Sequence, residues 1–324
     1  MMPQYGKACT QQGFLIMTYA LPQLNSRQST AIPLLSQPLL HEKESLEITR
    51  LSPALGAIVH DIDLSQSLSD KTITELKDIL YRDKVIFFRN QNISPIEQRN
   101  FARKFGELHI HPVFPTVENV PEVIVLDTLH NDLKDNALWH ADVTFSETPP
   151  LGAVLAAKHL PPSGGDTLWT STAAAYKALS PEMKAHLENL TALHDFTRSF
   201  PLSRFGRDNT EKQKWLNVRS ENPPVEHPVI RIHPDTGERS IFVNEGFTTE
   251  ICGLEPEESN ALLQFIFQHI KKPEFSIRWT WQSGDIAFWD NRSTQHYAVD
   301  DYRPHRRIMQ RVTIMGDKPV GPRN

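Results

Sequence analysis

The sequence predicts a mainly β fold, a double-sheet jelly roll with helices packed outside it. Three observations carry this. Short β-rich runs recur along the chain: Val85–Phe88, Val123–Leu126, Ala153–Ala157, Ile241–Asn244, Ile277–Trp281, Ile286–Trp289 and Ile308–Ile314. Their irregular spacing, without strict alternation of strand and helix, disfavours a doubly wound parallel sheet. Readable helices lie between and before these runs and do not dominate the chain.

The first helix is marked by the apolar stripe Ile73, Leu76, Ile79 and Leu80, which matches a 3.6-residue period. Ser94-Pro95-Ile96-Glu97 is a capping box with proline at the first helical position, so a helix should run from there to about Phe105. Ser180-Pro181-Glu182 opens another in the same way. Pro256 opens a fourth, with Leu262, Ile266 and Ile270 on one face beside Leu263 and Phe267. The chain shows no internal repeat.

Residues 1–45 mix Gln, Ser, Pro and scattered apolar residues without period, and they read as a flexible leader. Residues 46–324 read as a single domain, because no Gly/Ser-rich or Pro-rich linker divides them. The net charge of -5 gives no basic footprint for nucleic acid. A hydrophobic content of 39% suffices for a core, while no apolar run approaches the roughly 18 residues that span a membrane. Phe14–Leu21 is apolar but brief, with no basic run before it. Cys9 and Cys252 alone cannot build a disulfide framework, so a reducing, cytoplasmic setting is expected.

The most informative motif is Trp139-His140-Ala141-Asp142-Val143, followed far downstream by Trp289-Asp290-Asn291 and His296. In an extended segment His140 and Asp142 share a face, because strand side chains alternate with period two. With His296 they supply two imidazoles and a carboxylate, the ligand set of non-haem Fe(II) oxygenases, which leaves metal positions open. The competing readings are hydrogen-bonded structural histidines and a hydrolytic zinc site. Against zinc stands the missing HExxH helix.

In Arg-Ile-Met-Gln-Arg-Val-Thr-Ile-Met, alternation puts Arg307, Met309, Arg311 and Thr313 on one face. Either that face is solvated, or it lines the barrel and each guanidinium needs an anion, since an unpaired buried charge is costly. Four residues at about 3.3 Å each separate the arginines by roughly 13 Å, enough for two different anions. His109 and His111 in His-Ile-His-Pro point together, and these residues alone do not say which is functional.

These motifs occur in the order His109-Ile110-His111-Pro112, Trp139 to Pro150, Gly164-Gly165-Asp166-Thr167-Leu168-Trp169, Phe242 to Thr249, then Arg307 and Arg311. In that order the chain resembles the taurine dioxygenase family of Fe(II)- and 2-oxoglutarate-dependent enzymes, over roughly residues 47 to 319. The resemblance implies a double-stranded β-helix core. It implies Fe(II) held by His140, Asp142 and His296, with 2-oxoglutarate as co-substrate and O2 as oxidant. Arg307 would grip the distal carboxylate of 2-oxoglutarate, helped by the Thr167 hydroxyl, and Arg311 and His111 would receive a sulfonate, with His109 structural.

Asp135 and Asn136 match positions near the substrate amine; by their own residues they read equally as a surface turn. Phe200 and Phe247 match the aromatic walls, while Trp289 reads as packing. One departure stands out: Phe114 occupies a position where the family pattern has tyrosine. The implied reaction hydroxylates the sulfonate-bearing carbon of taurine, releasing sulfite and aminoacetaldehyde with succinate and CO2, and serves sulfur supply. Sister activities on other alkanesulfonates, alkyl sulfates or aryloxyacetates, a zinc hydrolase, and a catalytically inert anion-binding protein are the alternatives. The family behaviour also implies a homodimer with a small-molecule sulfonate as partner.

Overall fold

Val85-Ile86-Phe87-Phe88 is apolar at every position, which only a strand buried on both faces tolerates. A computed structural model, which describes residues 45–111, 114–130 and 137–322, shows why. Val85 and Phe87 point into one apolar core and Ile86 and Phe88 into another. The same split holds for the strand Ile286–Asp290, where Ile286 and Phe288 join the second of these cores and Ala287 and Trp289 the first.

These two strands lie side by side in the main nine-stranded sheet. Its order is Ile48–Arg50, Ala57–Val59, Val85–Phe88, Ile286–Asp290, Gly152–His159, Ile308–Ile314, Val120–Asp127 and Thr116–Val117, with Leu108–His109 paired to the end of Ile308–Ile314. Pairing is antiparallel throughout except between Ala57–Val59 and Val85–Phe88. Opposite its inner face lies a three-stranded sheet, Ser276–Trp279, Thr167–Ser171 and Thr294–Ala298. Phe87, Leu155, Trp289 and Met309 from one sheet pack against Trp169, Trp279 and Trp281 from the other side. The Phe87 and Trp279 rings stack at 3.9 Å. This two-layer β core, with helices outside, is the jelly roll that the sequence predicts.

The outer core is closed by the helices Asp70–Asp83 and Pro95–Arg103, whose buried Ile73, Leu76, Leu80 and Phe101 cover the sheet. The Ser94–Glu97 capping box forms as predicted. Helices also open at Pro181 and Pro256, the latter running Pro256–Ile270.

The run Ile241–Asn244 is only partly strand. Arg239–Ile241 pairs with Ile230–Ile232, after which the Asn244 side chain accepts from Phe247 N at 2.9 Å and turns the chain away. Polar side chains that bond nearby backbone compete with sheet in this way. The predicted Ile277–Trp281 strand ends at Trp279. Helix Asn209–Glu221 escapes sequence reading because it buries only Val218, leaving no apolar stripe. Except for Ser45, residues 1–45 lie outside the described residues. No helix among the described residues is long and apolar enough to cross a membrane.

Candidate active site

His140 and His296 come from segments far apart in sequence, joined by an isolated antiparallel bridge. His140 N donates to His296 O at 3.1 Å, and His296 N donates to His140 O at 2.8 Å. Bridge partners send their side chains to the same face, so this pairing sets the imidazoles together with ring centroids 4.2 Å apart. Gly246 lets the chain pass close behind: a Cβ there would lie 2.8 Å from His140 Cβ. The Leu138 carbonyl accepts from His140 Nδ1 at 2.7 Å, which puts a proton on Nδ1 and orients the ring.

Asp142 completes the group. Its Oδ1 lies 3.7 Å from His140 Nε2 and 4.0 Å from His296 Nε2. The ligand atoms of all three lie within 4.8 Å of one another, and all three residues are buried. Burial pushes the Asp142 carboxyl up, but Arg311, His296 and His140 outweigh it and hold it down at about 2. Burial, then the neighbouring His140, lowers His296 to about 3. At neutral pH Asp142 is therefore a carboxylate and His296 a neutral imidazole, donors suited to a divalent cation. Asp142 Oδ2 is buried without a hydrogen-bond partner among the described residues, an orphaned carboxylate oxygen that a bound cation would satisfy.

Arg311 Nη1 donates to Asp142 Oδ1 at 2.8 Å, while its buried Nε has no partner among the described residues. The guanidinium thus reaches the Asp142 carboxylate and retains donor capacity. The next residue after Asp142, Val143, has a φ of 54°. A β-branched residue with positive φ is a strained conformation that the surroundings must impose.

Arg307 is 6% exposed, and its Nε and Nη2 are buried without partners among the described residues. Its guanidinium sits 6.0 Å from the Trp281 and Tyr302 rings. Gly165, at φ 71°, packs so closely that a Cβ would come 3.1 Å from Arg307 Cδ. The Thr167 hydroxyl accepts from Trp281 Nε1 at 3.0 Å, so its own proton is free to donate. A buried guanidinium with unpartnered donors calls for an anion. The face Arg307–Thr313 is therefore interior, which decides between the two sequence readings of these arginines.

His111 is buried, and its Nδ1 accepts from Phe114 N at 3.4 Å, which leaves Nε2 protonated as a donor. Burial, then Arg311, lowers its pKa to about 3. His109 lies beside it, ring centroids 5.7 Å apart, with Nδ1 buried and unpartnered among the described residues. An aromatic series then runs back to His140: His111–Phe114 at 4.8 Å, Phe114–Phe200 at 6.5 Å, Phe200–Phe247 at 6.4 Å and Phe247–His140 at 6.4 Å. Beyond it lies a cavity of ≈ 520 Å³, whose lining includes Phe114, Phe200, Phe205, Lys214 and Trp215 but none of His140, Asp142 and His296. Asp135 and Asn136 lie outside the described residues.

Residues 47–313 match the taurine catabolism dioxygenase TauD, TfdA family. The chain belongs to that family. An alpha-ketoglutarate-dependent sulfate ester dioxygenase of Pseudomonas putida is 36% identical, over 85% of this chain and 91% of the relative. An alkylsulfatase of Acinetobacter baylyi is 34% identical, over 86% and 87%. The crystal structure of a taurine dioxygenase from Burkholderia xenovorans superposes with a TM-score of 0.73 at 35% identity, covering 86% of this chain and 93% of that one. As a TauD/TfdA-family member the protein is a 2-oxoglutarate-dependent dioxygenase that uses Fe(II), 2-oxoglutarate and O2.

Within this family member, the structure brings together His140, Asp142, His296 and Arg311, and sets both Arg307 and Thr167 against Trp281. Trp289 packs against His296, ring centroids 4.9 Å apart. Sequence reading missed Asn291. Its Oδ1 accepts from Asp142 N at 2.7 Å, and its Nδ2 donates to Asp142 O at 3.0 Å. The only signal was its place in Trp289-Asp290-Asn291, which carries no role without the fold.

Proposed function

We propose that the enzyme hydroxylates the sulfonate-bearing carbon of taurine, with His140, Asp142 and His296 holding Fe(II). The observation that carries this reading is the aromatic series from His111 to His140. Phe114, Phe200 and Phe247 stand between His111 and His140, and such ring walls suit a short alkyl chain. Bound iron, with 2-oxoglutarate and O2, supplies the oxidising power, and the protein orients one C–H bond. Arg307 and Thr167 hold the distal carboxylate of 2-oxoglutarate. His111 Nε2–H and Arg311 donate to the sulfonate, a geometry that suits a planar guanidinium better than lysine. Phe200 and Phe247 exclude water around the two-carbon chain. The hydroxylated carbon then loses sulfite and leaves an aldehyde.

A second reading, oxidation of alkyl sulfates, is favoured by the names of the Pseudomonas and Acinetobacter relatives and by Phe114. Phenylalanine cannot donate to or accept from an amine-bearing substrate, a difference of about 0.5–1.5 kcal/mol for a lost hydrogen bond. Discrimination is weak where an apolar wall merely tolerates an analogue. Sulfite release and succinate formation measured with taurine, butanesulfonate, an alkyl sulfate and an aryloxyacetate separate the readings. Taurine is expected to be turned over, with a modest margin over butanesulfonate that Phe114→Tyr widens. Turnover of the sulfate or the aryloxyacetate without sulfite from any sulfonate would falsify the sulfonate reading.

A further inference from the structure

We propose that Asn291 is a positioning residue for the metal site: by clamping the main chain of Asp142, it sets how tightly the protein takes a divalent cation. This rests on reading His140, Asp142 and His296 as the metal ligands. The clamp is two-sided, with Asp142 N donating to Asn291 Oδ1 and Asn291 Nδ2 donating to Asp142 O. Nδ2 also donates to Pro150 O at 3.3 Å, and the Asn291 main chain donates to Leu151 O at 2.9 Å. The amide therefore ties the Asp142 loop at both its start and its end.

The clamp acts where the backbone is least willing. Val143, next to Asp142, holds its positive φ without the freedom of glycine. Released from Asn291, the segment can relax toward an ordinary conformation and swing the carboxylate away from His140 and His296. The amide also has a rigid mount. Asp290 is fully buried and accepts from Arg292 Nε at 3.0 Å and from His233 Nε2 at 2.6 Å. His233 Nδ1 accepts from the main-chain N–H groups of Asp235 and Thr236, which fixes the proton on Nε2. Arg292 reaches Asp235 at 2.8 Å, and Ser240 Oγ donates to Arg292 O at 3.0 Å. The two residues that flank Asn291 are thus pinned, and its side chain transmits that rigidity to Asp142 alone of the three ligands.

The test is a Co(II) titration of the full-length protein, followed by the metal's visible absorption without substrate or co-substrate. Outer hydrogen-bond partners of metal ligands are worth about 10–100-fold in affinity, so Asn291→Ala should raise the Co(II) Kd about ten-fold or more and change the band shape. Thr170→Val is the control: it removes a buried hydroxyl that donates to Ile270 O at 2.6 Å and touches no ligand, and it should leave Kd unchanged. Asn291→Asp keeps the acceptor for Asp142 N but loses the donor to Asp142 O. Its added negative charge alone would tighten cation binding, so weaker binding by this variant is the expected and more telling result. Wild-type affinity and band in folded Asn291→Ala, or tighter binding in Asn291→Asp, overturns the proposal. Absence of Co(II) binding to the wild-type protein would instead overturn the metal reading itself.

Discussion

Alanine in place of His140, Asp142 or His296 abolishes turnover and leaves the protein folded. The described residues offer the metal three side chains, so the loss of one should exceed the roughly 10–100-fold typical of an outer hydrogen-bond partner. Folding should survive, because His296 and His140 are joined through their main chains, which alanine preserves. Asp142→Ala also leaves Arg311 without its carboxylate, so this variant should be the least stable of the three. Succinate formation and near-ultraviolet circular dichroism measure both effects. Near-normal 2-oxoglutarate decarboxylation in any one variant removes that residue from the ligand set.

The arginines should separate the two anions. Arg307→Ala is expected to raise the KM for 2-oxoglutarate about ten- to a hundred-fold, the equivalent of a charge-assisted bond worth about 1.5–3 kcal/mol. Its Co(II) affinity should stay at the wild-type value, since Arg307 touches no metal ligand. Arg311→Ala is expected to raise the KM for the sulfonate by a similar factor. Equal weakening of both substrates by both variants would show that the assignment of one anion to each arginine is wrong.

What the sequence made legible follows from how local each signal is. The strand that carries Arg307 and Arg311 was readable because alternation is a property of neighbouring residues, and both do lie on the buried face. His140 and Asp142 were readable because His-x-Asp is a local pattern, although Asp142 begins a turn that Asn291 holds in place. Asn291 was not, since its partner Asp142 is 149 residues away and an asparagine has no pattern of its own. The pairing of Arg311 with Asp142 was hidden for the same reason. Helix Asn209–Glu221 was missed because its stability comes from the Asp208 cap and from Trp215 Nε1 donating to Phe200 O at 2.6 Å, not from an apolar stripe. Asn244 ended a predicted strand early through a side-chain bond that hydrophobicity does not register.

The bridge between His140 and His296 has a thermodynamic consequence. As the proposed ligands, His140, Asp142 and His296 come from segments that only the fold brings together, so the unfolded chain offers a cation nothing comparable. Binding that favours the native state alone stabilises it by RT ln(1 + [M]/Kd), about 2.7 kcal/mol when the free metal stands at 100 times Kd. The melting temperature should therefore rise with added Co(II) and fall when a chelator strips it, with no such response in His296→Ala. In a cell the iron supply would then govern how long the protein survives as well as how fast it works, because a chain deprived of metal spends more time open to proteolysis.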